Sequence, residues 1–274
     1  PYHDANNGAP NALLRNEAPW TFVDVTTKSG LDEHNVRFSF ASSWEDYDND
    51  GDLDILFANG RGFSGPQLQE ANRLYINNGN GFFTDETDSM LPVQVIGGSD
   101  ADFGDVDNDG DLDIIFTNSG SSPFGSGVDK LYINNASGVF TDETASRLPG
   151  SAVSESIDCD FFDKDGDGDL DLLMVHRGPS SQLWENDGLG NFTDVTAGNL
   201  PPEGSGTYSM DPGDIDGDGD LDLLVVRGST ERMFQNDGTG TFTDITATAL
   251  PTNPSQDDND GDFLDIDNDG DLDI

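Results

Sequence analysis

The sequence predicts an all-β chain, a β-propeller of four-stranded blades, and three observations carry that expectation. An acidic loop recurs five times: DYDNDGDLDI from Asp46, DVDNDGDLDI from Asp105, DKDGDGDLDL from Asp163, DIDGDGDLDL from Asp214 and DIDNDGDLDI from Asp265, with starts 59, 58, 51 and 51 residues apart. A second element also recurs five times: NALLRNEAPWTFVDVT from Asn11, NRLYINNGNGFFTDET from Asn72, DKLYINNASGVFTDET from Asp129, SQLWENDGLGNFTDVT from Ser181 and ERMFQNDGTGTFTDIT from Glu231. Finally, a unit of this length holding four short strands suits a radially packed blade better than the shorter coil of most solenoids.

Each strand has its own justification. The first runs into the acidic loop, as in SFASSWE and ADFG. The second leaves it as an unbroken apolar run, Ile55-Leu56-Phe57 or Leu223-Leu224-Val225-Val226. Such a run suits a strand covered on both faces, as a middle strand between neighbouring blades is. The third is Leu74-Tyr75-Ile76 and its counterparts. It turns through Asn-Asn-Gly or Asn-Asp-Gly, which tolerate the positive φ of tight hairpins, into an alternating fourth strand containing Phe83-Thr84-Asp85. In every copy an Asn (16, 77, 134, 186, 236) precedes an Asp (24, 85, 142, 194, 244) by eight residues.

Residues 1–274 are taken as one propeller domain. The sequence opens on the third and fourth strands of a unit and stops inside a second strand. Residues 11–26 are therefore expected to complete the blade begun at Asp262, giving a ring of five. Ile274 falls four residues short of the usual strand end, so part of a seven-bladed parent is the other expectation.

Composition points to cations. The chain has 11 Lys+Arg against 55 Asp+Glu, a net charge of -44, and 45 of the acids are Asp. A generic solubilising surface would not favour Asp so strongly over Glu. Nucleic acid is a poor partner, since phosphate binding needs Lys and Arg. No apolar run reaches the ~18 residues of a membrane helix, and the single Cys159 allows no intrachain disulfide, so any stapling falls to metal.

Within each loop, Asp at positions 1, 3, 5 and 9 can converge, Gly at position 6 permits a sharp turn, and position 7 can offer its carbonyl. These are hard oxygen donors in the number Ca²⁺ takes, whereas Mg²⁺ seldom fills an all-protein cage. An EF-hand would need Glu at position 12, where Phe57, Phe116, Met174 or Val225 stands. The expected calcium ligands are Asp46, Asp48, Asp50, Asp52 and Asp54; Asp105, Asp107, Asp109, Asp111 and Asp113; Asp163, Asp165, Asp167, Asp169 and Asp171; Asp214, Asp216, Asp218, Asp220 and Asp222; and Asp265, Asp267, Asp269, Asp271 and Asp273. Asp102, Asp160, Asp211 and Asp262, three residues before four of the loops, are read as polar ends of the first strand at the surface rather than supports for the ligands.

The loops and the N-x-L-[YF]-x-N…F-T-D-x-T element resemble the FG-GAP/VCBS repeats of integrin α-subunit propellers and of secreted bacterial and archaeal proteins. The pairing of WEDYDNDGDLDI with NRLYINNGNGFFTDET is especially similar to proteins carrying an ASPIC/UnbV module. The resemblance implies calcium held between the first and second strands of each blade, by the aspartates named above. It also implies an extracellular or cell-surface setting.

No catalytic site is expected: His3, His34 and His176 sit in no zinc or triad spacing. Asn135 and Asn191 match glycosylation sequons, though turn chemistry already explains both. Cys159 is read as a small buried residue. A protein or glycan ligand is expected on the face opposite the acidic loops, where connections between second and third strands vary most in length. Arg61, Phe63 and Phe124, with Asn59 and Asn118, form the expected patch, and Asn59, Asn118, His176 and Arg227 share one point at the end of the second strand. A lectin-like propeller and a head-to-tail filament are the competing expectations.

Overall fold

The computed structural model describes residues 11–31, 39–60, 71–93, 98–118, 128–135, 138–150, 156–176, 178, 180–251, 260–267 and 269–274. Four antiparallel four-stranded sheets follow one another, each in chain order from first strand to fourth. Blade I is β3 (Ser39–Glu45), β4 (Asp54–Asn59), β5 (Arg73–Asn77) and β6 (Phe83–Asp85). Blade II is β7 (Gly98–Gly104), β8 (Asp113–Asn118), β9 (Lys130–Asn134) and β10 (Phe140–Asp142). Blade III is β11 (Ser156–Phe162), β12 (Asp171–His176), β13 (Gln182–Asn186) and β14 (Phe192–Asp194). Blade IV is β15 (Thr207–Gly213), β16 (Asp222–Arg227), β17 (Arg232–Asn236) and β18 (Phe242–Asp244).

The core lies in layers between blades, which explains the unbroken apolar second strands. Side chains alternate across a strand, so β12 sends Leu172 and Met174 into the layer shared with blade II and Leu173 and Val175 into the layer shared with blade IV. β8 does the same with Ile114 and Phe116 on one side and Ile115 on the other. Strands β7, β11 and β15 lie beside one another, so the first strand of each blade meets that of the next.

The F-T-D-x-T element has a local cause. The Asp ending the fourth strand accepts from the backbone two residues on, Thr87 N to Asp85 Oδ1 at 3.1 Å, and the Thr hydroxyl accepts from the third strand, Leu74 N to Thr87 Oγ1 at 3.0 Å. One helical turn follows each: α1 (Thr87–Met90), α2 (Thr144–Arg147), α3 (Thr196–Asn199) and α4 (Thr246–Ala249).

The expected pairing of residues 11–26 with the last repeat is not seen among the described residues. Among the described residues, β1 (Leu14–Ala18) and β2 (Thr21–Asp24) pair only with each other, as a two-stranded sheet. Leu13 packs beside Leu31, Ile55, Tyr75 and Phe83, and Asn11 donates to Ser39 Oγ at 2.7 Å, so this hairpin is held on blade I. The described residues of the last repeat form a single bridge, Leu264 to Asp273, with Phe263 packed on Leu224, Val226 and Met233 of blade IV.

Candidate metal sites

Each acidic loop folds around its first carboxylate. Asp46 accepts from Asp50 N and Gly51 N, both at 2.9 Å, and Asp105 and Asp265 do the same in their loops. Position 6 is glycine because its φ of 92° to 99° lies where a side chain is strained. Position 4 also turns left-handed, at Asn49 (φ 60°), Asn108 (58°), Gly166 (75°) and Gly217 (74°), which accounts for its restriction to Asn or Gly.

This turn gathers three carboxylates per loop, with one oxygen of each within 4.8 Å of the others. The groups are Asp46, Asp48 and Asp50; Asp105, Asp107 and Asp113; Asp163, Asp165 and Asp171; Asp214, Asp216 and Asp218; and Asp265, Asp267 and Asp269. All lie at positions 1, 3, 5 and 9. Position 9 begins the second strand and is tied down by backbone donors: Asp113 accepts from Asn134 N at 2.8 Å and Val106 N at 3.1 Å. Asp54 and Asp171 repeat the arrangement with Asn77 and Tyr47, and with Asn186 and Lys164. Position 7 side chains point elsewhere: Asp52, Asp169 and Asp220 lie over the hairpin glycines Gly79, Gly188 and Gly238.

The residues fit a hard cation. Asp107 Oδ1 and Asp165 Oδ1 are buried with no hydrogen-bond partner, whereas buried polar oxygens in folded proteins are ordinarily satisfied. Burial raises Asp54 and Asp171 to about 6 and Asp113 to about 7, because their charged forms are desolvated. A cation held among them would favour ionisation again.

Two further positions tie the loops to the neighbouring blade, and the sequence reading missed one of them. Position 2 plugs the junction with the next blade. Tyr47 stacks on Phe140 with centroids 5.7 Å apart, and the Lys164 stem lies against Gly240. The Asn of the second element spans the same junction: Asn186 Nδ2 donates to Val106 O at 2.8 Å and Leu170 O at 2.9 Å, and Asn236 Nδ2 to Lys164 O at 2.7 Å and Leu221 O at 3.1 Å.

Of the strand-one aspartates, Asp102, Asp160 and Asp211 are not surface strand ends. Asp100, Asp102 and Asp158 accept from the first strand of the following blade: Cys159 N at 3.2 Å, Phe161 N at 2.9 Å and Met210 N at 3.1 Å. The counterpart of Phe161 in blade IV is Pro212, which has no N–H, and Asp160 lacks the equivalent bond. Burial, with like charge around it, holds Asp160 well above the usual carboxylate range, and burial raises Asp102 to about 6 and Asp211 to about 7. Asp262 is exposed. Cys159 is buried, as expected.

On the opposite face, two members of the expected patch are corrected. Asn59 and Asn118 are buried at 0% and 1% exposure, closing the second-to-third connection: Asn59 N donates to Asn72 Oδ1, and Asn118 N to Asp129 Oδ1, both at 2.8 Å. Arg61, Phe63 and Phe124 lie outside the described residues, as do His3 and His34. His176 and Arg227 are also buried. Asp129, Ser156 and His176 do meet, but Ser156 lies in the middle, donating to Asp129 at 2.8 Å and 3.1 Å from His176 Nδ1. A catalytic triad instead places histidine between acid and serine. Asn191 bonds Asp187, consistent with turn chemistry.

Fold and loops together define an array of propeller blades, each with a carboxylate-lined turn between its first and second strands. The FG-GAP-like repeat matches residues 46–116, 105–174, 163–225 and 214–274, and the chain belongs to that family. Among relatives, cartilage acidic protein 1 of Homo sapiens is 30% identical over 206 residues, 68% of this chain and 28% of its own length. The Xenopus tropicalis protein of the same name is 28% identical over 186 residues, 62% of this chain and 26% of its own. The chain thus spans little more than a quarter of either relative. Among solved structures, an Agrocybe aegerita lectin described as recognising non-reducing terminal N-acetylglucosamine matches with a TM-score of 0.55 at 20% identity, covering 87% of this chain and 60% of that one. This likeness concerns the fold alone. Among the described residues no helix is long and apolar enough to cross a membrane.

Proposed function

We propose that the chain is a calcium-stabilised propeller acting outside the cell or at its surface as a structural, adhesion or ligand-binding module, without catalytic activity. The observation that carries this is the fivefold convergence of carboxylate oxygens within 4.8 Å. Convergence of that kind in a chain of net charge -44 calls for neutralisation. Positions 1, 3, 5 and 9 supply side-chain oxygens and position 7 its carbonyl, so Asp52, Asp111, Asp169, Asp220 and Asp271 contribute through the backbone. Bound calcium supplies the positive charge that holds these carboxylates together. Extracellular calcium, at millimolar levels, matches sites of the 10⁻⁴ to 10⁻³ M class found in extracellular modules.

Dialysis of the purified protein in millimolar calcium, followed by atomic emission, tests this. Several calcium ions per chain are expected, selected over magnesium; a chain that retains none would end the calcium reading.

A glycan is included as a ligand class because the Agrocybe aegerita lectin, which shares this fold, is described as recognising non-reducing terminal N-acetylglucosamine. Binding to a glycan array in calcium, lost in chelator, supports it, and an array without signal opposes it.

A further inference from the structure

Loop III carries a feature that no other loop shares. Its position 2 is Lys164, where the others have Tyr47, Val106, Ile215 and Ile266. The Lys164 side chain is 1% exposed, and its Nζ lies 2.7 Å from Asp165 Oδ2, 3.5 Å from Asp171 Oδ2 and 3.3 Å from Glu185 Oε2. Asp165 and Asp171 are two of the three carboxylates that converge in this loop.

The ammonium is held there by the blade junction. Its stem runs along Gly240, where an added Cβ would lie 2.8 Å from Lys164 Cδ, and Gly240 itself has φ of 72°. Its carbonyl accepts from Asn236 Nδ2 at 2.7 Å. The side chain therefore cannot swing into solvent without opening the contact between blades III and IV. Arg147 touches loop II differently: it reaches one loop carboxylate, Asp107, at 3.2 Å from α2, while its other contacts are Glu143 at 2.6 Å and the Leu189 carbonyl.

We propose that Lys164 is a built-in counter-cation that makes loop III the weakest calcium site of the array and keeps that blade junction assembled when calcium is withdrawn. This rests on the calcium reading above. A divalent ion entering loop III must share Asp165 and Asp171 with a fixed positive charge. Asp165 Oδ1, buried without a partner, remains free for it, so the site is weakened and not abolished. At such separations the repulsion lowers affinity by roughly tenfold or more.

The test is a calcium titration of the full chain by calorimetry, comparing wild type with Lys164→Ile, the residue at this position in loops IV and V. Wild type is expected to show one site at least ~10-fold weaker than the rest, and the variant to strengthen that site alone. Identical isotherms, or a uniform change across all sites, would overturn the proposal while leaving the calcium reading intact. A wild type that binds no calcium removes both. Hydrogen exchange on the wild type in excess chelator gives a second readout that needs no variant: amides of residues 163–171 should stay better protected than those of loops I and IV, and equal loss would contradict the proposal.

Discussion

The side-chain amide of Asn186 donates 2.8 Å to the backbone carbonyl of Val106, in the acidic loop of the preceding blade. The same amide donates to Leu170 O in its own loop, while its oxygen accepts from Gly188 N and Gly190 N in its own hairpin. One buried side chain thus joins two loops and a hairpin, making the loops part of the interface between blades.

Replacing Asn186 with Ala should therefore destabilise the protein by about 2–4 kcal/mol, since several buried polar groups lose their partner together. Asn191→Ala, at an exposed turn, should cost under ~1 kcal/mol. Denaturant midpoints of the two variants give the comparison, and equal shifts would deny Asn186 its bridging role.

Tyr47 fills the junction between blades I and II at 2% exposure. Tyr47→Ala should cost about 3–5 kcal/mol, in the range of large buried aromatics. Tyr47→Phe keeps the stacking on Phe140 and gives up only a long hydroxyl contact of 3.4 Å to Gly138 O, so it should cost under ~1 kcal/mol.

Asp107 and Asp142 separate ligand from scaffold. Asp107→Ala should remove or weaken one calcium site. Asp142 lies outside the loops, bonded to Thr144 and to Lys130 at 2.8 Å, so Asp142→Ala should lower stability by about 1 kcal/mol and leave calcium stoichiometry unchanged. Equal calcium losses in both variants would mean the cage is wrongly assigned. Asp109, expected as a side-chain ligand from the sequence, does not join the group formed by Asp105, Asp107 and Asp113, so Asp107 is the sharper choice.

Acid should stabilise the calcium-free protein. Burial raises Asp129 and Asp211 to about 7 and Asp102 to about 6, against ~3.9 when unfolded. Between pH ~4 and ~7 the folded state therefore binds more protons, and stability falls as pH rises through that window. His176, lowered by burial, acts in the opposite direction, but it is one group against several. Urea midpoints in chelator should be higher at pH 5 than at pH 8, with a smaller difference in Asp129→Asn; a midpoint that rises with pH would refute this.

The sequence revealed what each blade does by itself. Strands, hairpins and acidic turns follow from local pattern, and the double burial of β12 is visible in its unbroken Leu-Leu-Met-Val run. What it hid depends on the neighbouring blade. Asp102 could not be told from a surface aspartate, since its partner Phe161 N is 59 residues away. Asn59 and Asn118 carry no mark separating a buried loop clasp from an exposed contact residue. Likewise, repeat symmetry places residues 11–26 in a blade next to blade I, where Leu13 does pack, but it does not reveal that among the described residues β1 and β2 pair with each other alone.

Thermal unfolding with and without calcium bears most directly on the account. At millimolar calcium, sites of ~10⁻⁴ M each contribute about 1.4 kcal/mol, so the four loops other than loop III contribute roughly 6 together, comparable with the whole net stability of a domain. The melting temperature in 2 mM calcium, an assay concentration set at about extracellular levels, should exceed that in excess chelator by at least ~10 °C, and recalcification should restore it. An unchanged melting temperature in chelator would contradict the claim that calcium holds these blades together.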